Sequence, residues 1–351
     1  MLKIALLAGV TLLFSLIIPP FIIAISKFLD VKDRPNNRKV HKDPVPTLGG
    51  LSIFISFLLG ITILQPQSDY HLAIMLGATL VIILGFLDDI FDLPPKFKFV
   101  AQIFIASFVV FGGGLQVEFV NLPFGGQIEF GLLSSVITIF WIVGVTNAMN
   151  LIDGLDGLAA GVSAIALFTI AGIAVSMGNV YVVTLAFVLF FSTLGFLRYN
   201  FFPAKIFMGD TGSLFLGYMI SVLALLGFKS VTIVSFLIPV FILAVPISDT
   251  LIAMVRRYVN SQPLSSPDSS HLHHRLLQMG FSHKQTVLLI YALSTMFSAA
   301  GILFSMATLW GGIVIFVISM VSLQLLIENL ELISSNYKPL TNFLKALKHK
   351  L

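Results

Sequence analysis

The chain has no cysteine among its 351 residues, and charged residues make up only 10% of it. The first absence excludes disulfides, thiol catalysis and thiolate-ligated metals. The second excludes an ordinary soluble domain, in which roughly a quarter of residues are charged. Apolar residues fill the gap: 57% are hydrophobic and the mean hydropathy is +1.01. That balance describes a polytopic membrane protein. Its first apolar run, Leu2–Ile25, outlasts a signal-peptide core of roughly 7–15 residues and shows no evident cleavage site, so it reads as a retained transmembrane helix.

Crossing the hydrocarbon core takes about 20 apolar residues in a helix. Eleven segments qualify: 2–26, 47–64, 71–87, 99–115, 132–149, 158–177, 179–197, 211–228, 231–255, 285–306 and 308–330. Segments 47–64 and 71–87 are short, and Pro239 and Pro246 interrupt 231–255; membrane helices tolerate proline where neighbours satisfy the freed backbone groups. The expectation is an all-α polytopic helix bundle, one integral-membrane domain over 1–330 and a tail over 331–351.

Charge then orients the bundle. With the C-terminus inside, the inner segments are 27–46, 88–98, 150–157, 198–210, 256–284 and 331–351. They hold 18 of the chain's 20 lysines and arginines, leaving only Lys3 and Lys229 outside. The positive-inside rule therefore predicts N-out, C-in. On the outer side, Val117–Val120 and Gln127–Phe130 alternate around Gly125-Gly126 and predict a short external β-hairpin. At the end of the chain, Leu340, Phe343, Leu344, Leu347 and Leu351 recur at helical spacing between Lys345, Lys348 and Lys350. That pattern predicts a basic amphipathic helix resting on membrane lipids of the inner leaflet.

The acidic motifs all fall on the inner face. Asp88-Asp89-Ile90-Phe91-Asp92 closes the third span; hard carboxylate oxygens at this spacing suit Mg²⁺ held against phosphate. Acids at a helix C-terminus oppose the macrodipole, so a purely structural role is disfavoured. Asn147, Asn150, Asp153 and Asp156 recur every three residues, and a helix continuing from the fifth span would turn all four toward a common site. Asp210 sits in Gly209-Asp210-Thr211-Gly212-Ser213 at the start of the eighth span, where Thr211 or Ser213 could cap the helix and its N-terminus favours anions. Phe207, three residues earlier, is a platform on which a base could stack. His271, His273, His274 and Arg275 cluster in the longest polar loop and could bind phosphates or a metal. Lys98 and the Arg34–His41 loop add positive charge. Asp249 lies in or beside the ninth span, where a carboxylate is costly enough to mark a functional candidate, with no role assignable from sequence.

With these motifs in place, the chain resembles the polyprenyl-phosphate N-acetylhexosamine-1-phosphate transferases (the WecA, TagO and MraY type). The resemblance runs from Asp33 to His283. The form His271-x-His273-His274-Arg275 is similar to the branch that uses UDP-GlcNAc, although Ser269-Ser270 stand where that branch often has a basic residue. The resemblance implies a bundle of ten or eleven helices, often dimeric, with a cytoplasmic cleft. It implies Mg²⁺ (Mn²⁺ as a substitute) on Asp210 with Asn150 as second ligand, and Asp88 and Asp89 beside the lipid phosphate. Asp153 and Asp156 would face the donor, with Asp156 near the uracil and Phe207 stacked on it. Lys98 would pair with phosphate, and His271, His273 and His274 would contact the diphosphate or sugar.

The implied reaction is transfer of GlcNAc-1-phosphate from UDP-GlcNAc to undecaprenyl or another polyprenyl phosphate in the cell's inner membrane. It would begin a lipid-linked envelope glycan such as lipopolysaccharide or teichoic acid. No nucleic-acid partner is expected. A secondary transporter with intramembrane aspartate sites is the rival, but it predicts midplane charges and an internal repeat, whereas nearly all acids here sit at one surface. A polyprenyl diphosphate synthase would need a second aspartate-rich motif on a facing helix.

Overall fold

A computed structural model describes residues 2–33, 44–121, 126–228, 233–263, 270–334 and 336–348. Nearly all of them are helical. In chain order the helices are α1 (Leu2–Phe28), α2 (Gly49–Leu64), α3 (His71–Phe91), α4 (Pro95–Ser107), α5 (Leu133–Leu151), α6 (Leu158–Ser176) and α7 (Val180–Asn200). They continue as α8 (Gly209–Phe228), α9 (Ile233–Ile242), α10 (Ala244–Val259), α11 (Leu272–Gln278), α12 (His283–Met306), α13 (Leu309–Asn329) and α14 (Pro339–Lys348). A π-helical turn, Phe108–Gly112, extends α4.

Among the described residues, nine helices are long and apolar enough to cross a membrane: α1, α3, α4 with its π turn, α5 to α8, α12 and α13. The other two expected spans differ from a full crossing helix. Segment 47–64 is the sixteen-residue α2, and segment 231–255 is split into α9 and α10 at Leu243. Proline explains the split. Pro246 has no N–H to donate and is accommodated in the first turn of α10, where a donor would lack an intrahelical acceptor anyway.

Helix α8 is the axle of the bundle, buried along almost its whole length against α2, α3, α5 and α6. In lipid, close backbone approach rather than hydrophobicity drives such packing. Gly85 of α3 shows the requirement: a β-carbon there would stand 2.5 Å from the Asp210 carbonyl oxygen and the Thr211 Cα. By contrast α13 shows most of its surface outward.

The expected hairpin is present as β3 (Phe119–Asn121) antiparallel to β4 (Gln127–Glu129), in register Val120 to Ile128. An unexpected pair, β1 (Lys32–Asp33) and β2 (Val45–Pro46), brackets residues 34–43 and brings Asp33 to the mouth of the bundle. The Arg34–His41 loop and Ser269 lie outside the described residues. The amphipathic tail is helical as α14, with Phe343 and Leu344 exposed. Glu328 at the end of α13 caps it, accepting from the N–H groups of Leu340 and Thr341 at 2.7 and 2.8 Å.

Candidate active site

At one end of the bundle, the ends of α3, α5, α7 and α8, the 153–157 loop and α11 enclose a cleft of about 620 Å³. Seven aspartates line it: Asp33, Asp88, Asp89, Asp92, Asp153, Asp156 and Asp210, with Asn150, Asn200, Phe207, His273, His274 and His283.

Asp210 is the hub. Its Oδ1 accepts from Asn150 Nδ2 at 3.0 Å and its Oδ2 from Lys98 Nζ at 3.1 Å. Lys98 also donates to Asp88 Oδ2 at 2.8 Å, so one ammonium joins α3, α4 and α8. Asn150 donates onward to Ser213 Oγ at 2.8 Å. Asp88 accepts from the Leu93 N–H through its second oxygen, which closes the chain turn after α3.

Asp89, which also borders the cleft, holds the start of α8. Its Oδ1 accepts from the Asp210 N–H at 2.8 Å, and its Oδ2 from the Thr211 N–H at 3.1 Å and hydroxyl at 2.5 Å. The cap of α8 is therefore a carboxylate from α3, not Thr211 or Ser213. Thr211 donates to it, and Ser213 donates to the Gly209 carbonyl at 3.1 Å. Gly209 makes room for this cap. Its φ is +70°, and a β-carbon would fall 2.5 Å from Asp89 Oδ2.

The three-residue repeat does not act as one helical stripe. Helix α5 stops at Leu151, so Asp153 and Asp156 reach the cleft from a loop while Asn147 stays inside the bundle. One turn deeper than Asn150, the Asn147 amide donates to Gln102 Oε1 of α4 and to the Val143 carbonyl, and the residue does not border the cleft. Two side chains that sequence reading missed hold the loop in place. Asn200 accepts from the Gly157 N–H at 3.1 Å and donates to the Ile206 carbonyl at 3.0 Å, and Tyr291 donates to the Gly157 carbonyl. Phe207 is fixed by its backbone, donating to the Pro46 carbonyl at 2.8 Å and accepting from Gly49 at 3.0 Å.

The histidine cluster divides. His273 and His274 border the cleft; His271 and Arg275 do not. His271 Nδ1 lies 2.9 Å from Asp249 Oδ2, and Asp249 Oδ1 accepts from the Leu272 N–H at 2.9 Å. Asp249, flagged without a role, thus fastens the start of α11 to α10. Arg275 donates away from the cleft, to the Glu331 carbonyl at 3.1 Å. The reason is helical geometry: consecutive residues of α11 point about 100° apart, so adjacent members of the motif cannot all face one site.

Crowding and burial shift the titratable groups that line the cleft. Burial, with the charges of Asp210, Asp89 and Asp156, pushes the Asp153 carboxyl up to about 8. Burial and the neighbouring His274 push His273 down to about 3, leaving it neutral. Anionic substrates would enter a cleft already rich in carboxylates. Hard oxygens fit a divalent ion such as Mg²⁺, which binds through one or two carboxylates plus substrate phosphates rather than in an all-protein cage.

The polar ends of an apolar helix bundle thus converge on one carboxylate-rich cleft. A family model for glycosyl transferase family 4 matches residues 71–228. Over 350 residues the chain is 47% identical to the probable undecaprenyl-phosphate N-acetylglucosaminyl 1-phosphate transferase of Bacillus subtilis, covering 99% of this chain and 98% of that one. It is 35% identical over 288 residues to the decaprenyl-phosphate N-acetylglucosaminephosphotransferase of Mycolicibacterium smegmatis, covering 73% and 71% of the two chains. It is 31% identical over 335 residues to the phospho-N-acetylmuramoyl-pentapeptide-transferase of Staphylococcus carnosus, covering 88% and 98%. The chain belongs to this family of polyprenyl-phosphate N-acetylhexosamine-1-phosphate transferases.

Proposed function

We propose that the protein transfers GlcNAc-1-phosphate from UDP-GlcNAc to undecaprenyl phosphate or another polyprenyl phosphate. An oxygen of the lipid phosphate attacks the β-phosphorus, the bond from that phosphorus to the bridging oxygen breaks, and UMP leaves with the bridging oxygen. The product is a polyprenyl diphosphate carrying GlcNAc. The observation that carries this reading is Asp210, joined to Lys98, Asp88 and Asn150 at a cleft lined by both acids and histidines. The relatives' names support the acceptor and the sugar phosphate.

Phosphoryl transfer asks a protein mainly for positioning and for charge placed where it develops. Asp210 and Asn150 would hold Mg²⁺, which would offset the charge of the two phosphate-bearing substrates. Lys98 holds Asp88 and Asp210 at a fixed separation and offers its ammonium to an arriving phosphate. Asp89 keeps the first turn of α8 in place, and the 153–157 loop presents Asp153 and Asp156 to the donor.

The same reading places the cleft on the cytoplasmic side of the inner membrane with the N-terminus outside, supported by the distribution of lysine and arginine. Mn²⁺ as a substitute metal and homodimeric assembly belong to it as well. The test is UMP release by purified protein given UDP-GlcNAc, undecaprenyl phosphate and Mg²⁺. Metal-dependent turnover is expected, lost on Asp210→Asn. Asp89→Asn should lose turnover and melting temperature together. A normal rate in Asp210→Asn would remove that carboxylate from the mechanism, and a transport current without UMP release would favour the transporter.

A further inference from the structure

Helix α14 takes no part in the cleft, yet it is tied to a helix that does. Glu328, buried in the last turn of α13, holds the first turn of α14. Besides the Leu340 and Thr341 N–H groups, it accepts from the Thr341 hydroxyl at 2.6 Å and from Gln324 Nε2 at 2.7 Å. Between the two helices the chain forms a strap. Leu332 is buried in the core, and Lys338 donates to Glu331 Oε1 at 2.8 Å. The Glu331 carbonyl accepts from Arg275 of α11, and the Leu332 carbonyl from Arg256 of α10. The strap therefore joins α14 to α11, which carries His273 and His274 to the cleft.

The far side of α14 is uncovered. Phe343 and Leu344 are 60% and 51% exposed and share a face with Leu340, since residues three and four apart on a helix are neighbours. Lys345 beside them is exposed as well. After Glu331 the sequence holds four lysines, Lys338, Lys345, Lys348 and Lys350, and no acid. An apolar stripe beside lysines matches an anionic bilayer surface: the apolar side chains enter the acyl boundary while the ammonium groups stay among the headgroups. A specific protein interface buries roughly 1,000 Å² or more, and a stripe of a few side chains falls well short of that. Moreover, α14 starts where α13, which turns most of its surface outward, comes to its end.

We infer that α14 docks on acidic phospholipids at the bilayer surface, and that the strap passes this anchorage to α11 and steadies His273 and His274 at the cleft.

The experiment follows amide hydrogen exchange of the full-length protein in phosphatidylcholine nanodiscs, with and without phosphatidylglycerol, one chain to a disc. A lysine near an anionic surface strengthens attachment about fivefold. In the anionic discs α14 is thus expected to exchange at least about tenfold more slowly, and α11 to slow with it. K345Q, K348Q and K350Q combined should abolish both differences, and F343S with L344S should leave α14 fast at either composition. Exchange in α14 that ignores phosphatidylglycerol, or slowing that survives the triple substitution, would overturn the docking. Slowed α14 beside unchanged α11 would overturn the strap's part. Slowing confined to discs holding two chains would assign the face to a second copy and overturn the lipid as its partner. Should a variant fail to fold, the wild-type comparison between the two lipid compositions decides alone.

Discussion

The two walls of the cleft are built on opposite terms. On the wall formed by α3, α4, α5 and α8, the polar groups complete one another: Asp89 with the α8 amides, and Lys98 with Asp88 and Asp210. On the wall formed by α11 and α12, His273 Nδ1 is buried without a hydrogen-bonding partner among the described residues. A satisfied network holds its geometry before any substrate arrives. An unsatisfied imidazole stores binding capacity that a ligand can use. One wall is thus the frame for chemistry, the other the part that reads what enters.

Breaking the first wall should have the largest consequences. Asp210→Asn is expected to lower turnover by about 10²–10³-fold or more, on the scale of removing one group that stabilises developing charge, measured by UMP release. Next comes Lys98→Gln, which leaves two carboxylates facing each other across a partly buried site. Breaking such a pair costs about 3 kcal/mol, seen as a lower melting temperature that Asp88→Asn in the same chain should partly restore.

On the second wall, Asp249→Ala strands His271 and the Leu272 N–H. A loss of about 2 kcal/mol is expected, with faster amide exchange confined to α11; unchanged exchange there would refute the fastening role. A smaller effect follows from His273. Its folded pKa lies below its unfolded one, so its contribution to stability is full above about pH 6.5 and is lost as pH falls through that value toward 3. At pH 5.5 the loss is about 1.4 kcal/mol, and His273→Phe should remove that part of the pH dependence. Asp153, pushed up to about 8, acts in the opposite direction, destabilising as pH rises, so only the difference between variant and wild type isolates His273. The smallest change is expected for Asn147→Ala. About 1 kcal/mol of stability from its bond to Gln102 should go with turnover nearly kept, whereas Asn150→Ala should weaken Mg²⁺ dependence about 10–100-fold.

Much of this was legible in the residues. Hydropathy runs placed the helices within a few positions because in lipid a span must be apolar and must satisfy its own backbone. Acids at span ends marked the cleft, although Asp89 among them also caps α8. The failures share a cause too. Asn147 and Arg275 were grouped with Asn150 and His274 by spacing in sequence, yet one sits a turn too deep and the other points around the helix. Asn200, Tyr291 and His283 carry no motif, so only their neighbours reveal them.

The sequence by itself settled that this is a helical membrane protein with its acidic and basic residues gathered at the ends of spans, because solvation by lipid is a local demand made on each stretch of chain. The folded bundle alone decided which of those residues meet. Pairing Asp89 with the α8 amides, or Asp249 with His271, joins residues 121 and 22 positions apart. Such distances close only when whole helices pack, and no local pattern records that geometry.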